Sequence, residues 1–164
     1  MSVFTHMDTN GNAVMVDVSG KAVTSRTAVA SGRIQMNQAC YEAVQQGMMK
    51  KGDVLGVAQI GGIMGAKRTS ELIPLCHILN LTQCGVKFFF HDETREIEAQ
   101  CTVRCDGKTG VEMEALTGVS VALLTVYDMC KAVDKRMCIR DIHLVEKTGG
   151  KSGPFQYEPS TDTP

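Results

Sequence analysis

Residues 108–133, with the sequence KTGVEMEALTGVSVALLTVYDMCKAV, are the longest stretch of the chain that can form one helix. The stretch is apolar on nearly every face, which predicts a helix buried in the core or in a subunit interface. It nevertheless carries Glu112 and Glu114 near one end and Asp128 and Lys131 near the other. Because burying a charge without a partner is unfavourable, the charges at each end need an explanation.

Each end of this helix has both a structural and a functional interpretation. With Thr109 as the N-cap, Glu112 takes the third helical position and forms a capping box. Asp128 and Lys131 are three residues apart, so they share a face and can form a simple ion pair. Their apolar neighbours predict that this pair is at least partly desolvated, and desolvation suits a lysine to acid–base chemistry. The sequence leaves both interpretations open.

Glu112 and Asp128 are too far apart to serve one small pocket within a single helix. Sixteen residues separate them, which corresponds to about 24 Å along the helix axis. If both ends are functional, a pocket can take one end from each of two chains. This hypothesis predicts an oligomer with sites between its subunits.

Composition narrows the class of protein. The chain has 164 residues, a size typical of one domain, with 43% apolar and 21% charged residues. A net charge of −1 and a pI of about 6.4 argue against a general nucleic-acid-binding surface. The seven cysteines are odd in number and scattered, which favours reduced thiols in the cytoplasm. Charges interrupt every long apolar stretch, so we expect no membrane span.

Periodicity and turn signals predict the organisation of the chain. We expect a mobile N-terminal arm at 1–20, one domain at 21–157 and a polar tail at 158–164. The order of elements in the domain is strand, helix, helix, strand, strand, helix, strand. This order predicts an α+β fold of the ferredoxin-like βαββαβ type with one extra helix, an antiparallel sheet and helices packed on one face. The predicted strands are 21–36, 81–91, 95–105 and 136–146, and the predicted helices are 37–46, 54–72 and the stretch that ends at 133.

Two of these elements carry more specific predictions. Four glycines lie inside the helix at 54–72, and each costs about 1 kcal/mol relative to alanine. Either that helix is irregular, or another backbone packs very close to it. The strand at 95–105 alternates cleanly, which predicts one face under the helices and one wet face. The residues predicted to face inward are Ile97, Ala99, Cys101, Val103 and Cys105, and those predicted to face water are Glu96, Glu98, Gln100, Thr102 and Arg104.

Three clusters of glycine and lysine are the strongest chemical signal. They are GAKRT at 65–69, GKTG at 107–110 and GGKSG at 149–153. None has the spacing of a P-loop, but glycine-rich backbone beside lysine can bind phosphate through its amides. Together with Lys51, which precedes a predicted helix, they indicate a polyanionic small molecule. The Cys76–His77 pair has no second pair at zinc-site spacing, so His77 is expected to be an acid–base group or a hydrogen-bond donor.

Four segments of the chain carry a resemblance to a known family. They are MVDVSGKAVTSRTAVASG, KKGDVLGVAQIGGIMGAKRTSELIPLCH, GKTGVEMEALTGVSVALLTVYDMCKAVDK and KTGGKSG. These segments resemble the molybdenum cofactor biosynthesis protein C family, which is cyclic pyranopterin monophosphate synthase. Two departures are visible: Ile78 stands where the family usually has proline, and Thr148 stands where serine is common.

The resemblance implies a substrate, an assembly and a set of roles. The substrate would be 3′,8-cyclo-7,8-dihydroguanosine 5′-triphosphate, and a lyase reaction in the domain at 21–157 would release pyrophosphate. The enzyme would be a cytoplasmic homohexamer, a trimer of dimers with intersubunit sites, and would need no cofactor or protein-bound metal, although Mg²⁺ could help. Adjacent lysines would lower one another's pKa and make one of them a base. The catalytic residues would be Asp128, Lys131 and Lys51, and the substrate-binding residues would be Leu75, Cys76, His77, Glu112, Met113, Glu114, Lys67, Arg26, Lys147 and Lys151.

A ligand-binding or RNA-binding ferredoxin-like module is the alternative. The RNA-recognition motif shares the βαββαβ order, but its aromatic RNP1 signature does not occur in this sequence, and the net charge is unfavourable.

Overall fold

The computed structural model describes residues 6–8 and 10–159. Residues 1–5 and 9 of the predicted arm and 160–164 of the predicted tail lie outside the described residues. The elements in chain order are β1 (Thr24–Gln35), α1 (Gln38–Gln45), α2 (Val54–Lys67), α3 (Thr69–Leu72), β2 (Leu81–His91), β3 (Glu96–Gly107), α4 (Glu112–Cys130), β4 (Cys138–Thr148) and β5 (Phe155–Gln156).

The strands form one antiparallel sheet in the order β2-β3-β1-β4-β5. The first four strands have the ferredoxin-like arrangement, so the predicted fold class is confirmed. Helix α1 is the extra helix, and Asn37 caps it by accepting a hydrogen bond from the Cys40 amide at 2.9 Å. The two-residue strand β5 was not predicted, since two residues carry no periodicity.

Helices α2 and α4 pack against each other and against the sheet, and two glycines allow their close approach. A Cβ added to Gly62 would lie 2.9 Å from the Gly118 carbonyl oxygen and 2.9 Å from Val86 Cγ2. The close-backbone alternative is therefore the correct one at Gly62. Helix α2 ends at Lys67, five residues short of the prediction. The Thr69 hydroxyl donates to the Ala66 carbonyl at 3.0 Å and helps to satisfy the helix end.

The two faces of β3 differ less in burial than the alternation of its sequence predicts. The five residues predicted to face inward are indeed buried, each at most 1% exposed. Glu96, predicted to face water, is also only 1% exposed, so this prediction is wrong. Arg140 from β4 forms an ion pair with its carboxylate, and Arg33 Nη1 lies 3.5 Å from its Oε2. Period-two alternation predicts which face of the strand a side chain points to. It does not show that long side chains of neighbouring strands cover that face.

Helix α4 begins later than its capping box requires. Its N-cap is Val111, which makes no side-chain capping bond, and Glu112 is the first helical residue. The predicted capping box on Thr109 is therefore wrong, because Glu112 is not at the third position. Among the described residues, α4 is the one helix long and apolar enough to cross a membrane by length and composition. The most apolar 18-residue stretch of this helix has a mean hydropathy of 1.3, and 56% of the stretch is buried within the protein, as in the core helix of a globular domain.

Candidate active site

The N-terminal end of α4 borders a cavity of about 320 Å³, which we call the α4 cavity. The end of the arm, the loop after α3 and the first turn of α4 form its walls. The six predicted substrate residues of this region come together here: Leu75, Cys76, His77, Glu112, Met113 and Glu114. The structure therefore joins two segments that lie more than thirty residues apart in the sequence.

A second cavity of about 780 Å³, the lysine cavity, adjoins the first. The two cavities share Lys21, Thr109, Gly110 and Glu112. Its charged lining consists of five cations and one carboxylate, an excess that suits a polyanion. These charged residues are Lys21, Arg26, Lys108, Lys147, Lys151 and Glu112.

The glycine pair of the C-terminal loop shapes the lysine cavity around Arg26. Gly149 and Gly150 have positive φ angles of 86° and 84°. A Cβ on Gly150 would collide with the Arg26 guanidinium, and one on Gly149 would collide with the Ser25 carbonyl. The Arg26 Nε atom is buried and has no hydrogen-bond partner in the described part of the chain. The loop thus packs its bare backbone against a guanidinium that retains donor capacity for a ligand.

Glu114 is a carboxyl of the α4 cavity whose environment shifts its pKa. Its side chain is buried, with the residue 5% exposed. Burial first, and then the nearby Glu112 charge, raise its pKa from 4.5 to about 7, against a backbone hydrogen bond that lowers it. The negative charge of Glu114 also contributes, after burial, to the raised pKa of the Cys76 thiol. A carboxyl with a pKa near neutrality can both donate and accept a proton at physiological pH.

His77 contacts the arm across the α4 cavity. Its Nε2 atom lies 2.7 Å from the Val16 carbonyl oxygen. A carbonyl only accepts, so Nε2 carries the proton and donates it. One edge of the imidazole thus holds the arm, and the residue lines the cavity as predicted.

The opposite end of α4 carries the predicted catalytic cluster. The Asp128 carboxylate lies 2.7 Å from Lys131 Nζ and 3.5 Å from Lys51 Nζ, and Lys51 also donates to the Asp128 carbonyl at 2.9 Å. The fold therefore brings these three residues to one location, as the resemblance implies, and their catalytic role stays a prediction.

The electrostatics of this cluster differ from the prediction in two respects. The side chains of Asp128 and Lys131 are 62% and 51% exposed, so the expected partial desolvation is wrong for a single chain. The Lys131 hydrogen bond and charge, followed by the Lys51 charge, lower the pKa of Asp128. Bonding to Asp128 raises the pKa of Lys131. The expected depression of a lysine pKa does not occur at Lys131, because a carboxylate lies between the two ammonium groups.

Lys67 does not line the cavity that contains the other predicted phosphate-binding residues. It lines a third cavity of about 330 Å³ beside Cys84 and Leu81. Leu79 lines both this cavity and the α4 cavity, so the two cavities are neighbours, but Lys67 lines neither the α4 cavity nor the lysine cavity. Within one chain, the candidate residues therefore occupy three places: the joined cavities, the Lys67 cavity and the far end of α4.

Two cations of the joined cavities, Lys21 and Lys108, were not among the predicted site residues. Lys108 lies in the GKTG cluster, which gave a usable signal. Lys21 begins the predicted strand at 21–36, but β1 begins only at Thr24, so its position beside the cavities became visible only with the fold. In the described ranges 6–8 and 10–159, no three His, Cys, Asp or Glu side chains are grouped to hold a metal ion. The absence of a protein-bound metal stays a prediction.

Comparison with known proteins gives a consistent result over nearly the whole chain. A family model described as the MoaC family matches residues 15–150. The cyclic pyranopterin monophosphate synthase of Clostridium botulinum (strain Alaska E43 / Type E3) is 59% identical over 94% of this chain and 98% of its own length. The protein of the same name from Chloroflexus aggregans is 57% identical over 94% of both chains. That of Lysinibacillus sphaericus is 52% identical over 96% of this chain and all of its own.

Proposed function

The chain belongs to the MoaC family, and we propose that it is a cyclic pyranopterin monophosphate synthase of molybdenum cofactor biosynthesis. It converts 3′,8-cyclo-7,8-dihydroguanosine 5′-triphosphate to cyclic pyranopterin monophosphate and pyrophosphate, and it is a phosphorus–oxygen lyase. The observation that carries the proposal is the junction of the two cavities. A cavity lined by five cations opens beside a cavity that contains a carboxyl with a pKa near 7.

The lysine cavity accounts for the triphosphate. Formation of the cyclic phosphate expels pyrophosphate, and cations aimed at the leaving group stabilise the charge that develops on it. Arg26, Lys147 and Lys151 are the predicted phosphate residues that line this cavity. Lys147 Nζ also lies 3.6 Å from Glu112 Oε1, so Glu112 orients one of the cations rather than binding phosphate itself.

The α4 cavity accounts for part of the proton transfers. Opening the guanine imidazole ring and closing a pterin requires protons to move at several atoms. Glu114 can exchange a proton near neutral pH.

The cluster at the other end of α4 supplies the remaining acid–base groups. Lys131, with its raised pKa, enters the reaction protonated and donates. Asp128 stays ionised and holds Lys131 and Lys51 in place. No step requires a metal held by the protein, although Mg²⁺ can accompany the triphosphate.

A second copy of the chain brings the two ends of α4 together. Helices α2 and α4 expose apolar side chains on their outer faces, an arrangement typical of an interface between subunits. Antiparallel packing of two such faces places the Asp128 cluster of one chain beside the α4 cavity of the other. We propose that three such dimers assemble into a homohexamer. We also propose that the enzyme is cytoplasmic. The exposed side chains are Val57 (49%), Ile60 (61%), Met64 (39%) and Leu124 (58%).

Pyrophosphate release from the cyclic dihydroguanosine triphosphate tests the function directly. The wild-type protein should release pyrophosphate, and Asp128→Ala and Lys131→Ala should each lower kcat by about 10²–10⁴-fold while the fold is retained. Lys135→Ala is the matched control, since this exposed lysine lies beyond the same helix end and makes no ion pair among the described residues. Wild-type rates in either cluster variant would refute the assignment of these residues.

A further inference from the structure

The segment at 16–21, which we call the strap, lies along the α4 cavity and reaches the junction of that cavity with the lysine cavity. Val16 and Val18 line the α4 cavity, and Lys21 lines both cavities. No helix or strand includes the strap, and the nearest element, β1, begins at Thr24. Since no regular ladder fixes its backbone, other contacts must determine where Lys21 lies.

Two side chains from outside the strap hold its backbone. Lys108 Nζ donates to the Ser19 carbonyl at 2.6 Å, and His77 Nε2 donates to the Val16 carbonyl at 2.7 Å. Both bonds join residues that are more than sixty positions apart in the chain. The bond from Lys108 is charge-assisted, and bonds of this kind are about twice as strong as neutral ones.

The strap also has an internal turn that passes this restraint on to Lys21. The Asp17 carboxylate accepts a hydrogen bond from the Ser19 amide at 2.8 Å, and the Lys21 amide donates to the Val18 carbonyl at 3.0 Å. Ser19 and Lys21 therefore belong to one compact turn. A displacement of the Ser19 carbonyl moves the Lys21 backbone with it.

We infer that Lys108 is a positioning residue that fixes the strap and thereby places Lys21 at the junction of the two cavities. The alternative is that Lys108 binds the anion directly, like the other cations of the lysine cavity. Its ammonium donates to the Ser19 carbonyl of the strap at 2.6 Å, and this bond favours a role that acts through Lys21. The inference rests on the proposed function only for the identity of the natural substrate, because any polyanion that enters the lysine cavity meets the same groups.

The test uses the full-length protein and inorganic tripolyphosphate as the probe. Lys108→Met should accelerate amide hydrogen exchange in a peptide that covers the strap, while exchange in the core of α4 stays as in the wild type. The variant should also bind tripolyphosphate about tenfold more weakly, since the charged bond that holds the strap is lost. Lys21→Met should weaken binding to a similar extent but leave the Lys108 bond, and therefore the exchange of the Ser19 region, unchanged.

Three further variants separate positioning from other roles. Lys108→Arg should restore slow exchange and binding, because the guanidinium can donate to the same carbonyl. Lys108→Gln replaces Lys108→Met if the latter does not fold, and it should show an intermediate effect. Lys87→Met, an exposed lysine on β2 that lines neither cavity, is the matched control. Unchanged strap exchange in Lys108→Met would overturn the inference, and so would faster exchange without weaker binding. Neither result depends on turnover, so the proposed function can fail independently.

Discussion

Replacing Glu114 with glutamine should stabilise the protein, and the gain should depend on pH. The residue is 5% exposed, and its carboxyl has a pKa of about 7 instead of 4.5. Below about pH 4.5 the carboxyl is protonated in both the folded and the unfolded chain, so its ionisation does not lower the free energy of unfolding. Between the two values the unfolded chain ionises and the folded chain does not, so stability falls as the pH rises.

The magnitude follows from the size of the shift. A rise from 4.5 to about 7 at about 1.4 kcal/mol for each pKa unit corresponds to about 3 kcal/mol, fully present above pH 7. Glutamine has nearly the same shape and does not ionise. The free energy of unfolding of Glu114→Gln minus that of the wild type should therefore rise by up to about 3 kcal/mol between about pH 5 and pH 8.

Urea denaturation at several pH values measures this difference. Wild type and variant are compared at equal protomer concentration, because subunit association contributes to apparent stability. Glu93→Gln, in the exposed turn between β2 and β3, is the matched control and should show no such pH dependence. A difference for Glu114→Gln that stays constant with pH would refute the buried-carboxyl argument. The variant should also lose turnover, since it can no longer exchange a proton.

Three other predictions concern packing, phosphate binding and the loop of the lysine cavity. Gly62→Ala should lower the free energy of unfolding by about 1–3 kcal/mol, because its Cβ would lie 2.9 Å from the Gly118 carbonyl; thermal denaturation without a shift would contradict this packing. Lys151→Ala should raise KM more than it lowers kcat, because the proposed function has Lys151 contact phosphate in ground and transition state alike; an unchanged KM would exclude it from the site. Gly150→Ala should raise KM as well, because its methyl group displaces the Arg26 guanidinium; a crystal structure of the variant with Arg26 unmoved would contradict this.

The sequence predicted the fold because its periodic signals agree with one another. Local rules that the fold does not override account for the inward-facing positions of β3, the start of α1 after Asn37 and the helical character of 112–130. The predictions that failed depend on contacts between distant segments. Burial of Glu96 requires arginines from two other strands, and no pattern within β3 reveals them.

The candidate site was predictable residue by residue but not as a geometry. The resemblance named His77 and Glu114, and the structure places both in one cavity. The raised pKa of Glu114 arises from burial by segments remote in sequence, so only the fold reveals it. Lys21 was not predicted as a cavity residue, because the sequence assigned it to a strand that in the structure begins three residues later, at Thr24. The separation of Asp128 from Glu112 along α4 was predictable, since helical rise alone determines it.

Mixing two inactive variants tests the central claim most directly, namely that one active site takes the two ends of α4 from different chains. Lys131→Ala and Glu114→Ala are each expected to be inactive alone in the pyrophosphate-release assay. After unfolding and refolding together in equal amounts, half of the dimers contain one chain of each kind, and one of their two sites is intact.

The mixture should therefore regain about one quarter of the activity of wild-type protein treated in the same way. Recovery to that level, with none in either variant refolded alone, is the result that the proposed assembly predicts. A mixture as inactive as its components, under conditions in which the wild type recovers fully, would contradict it.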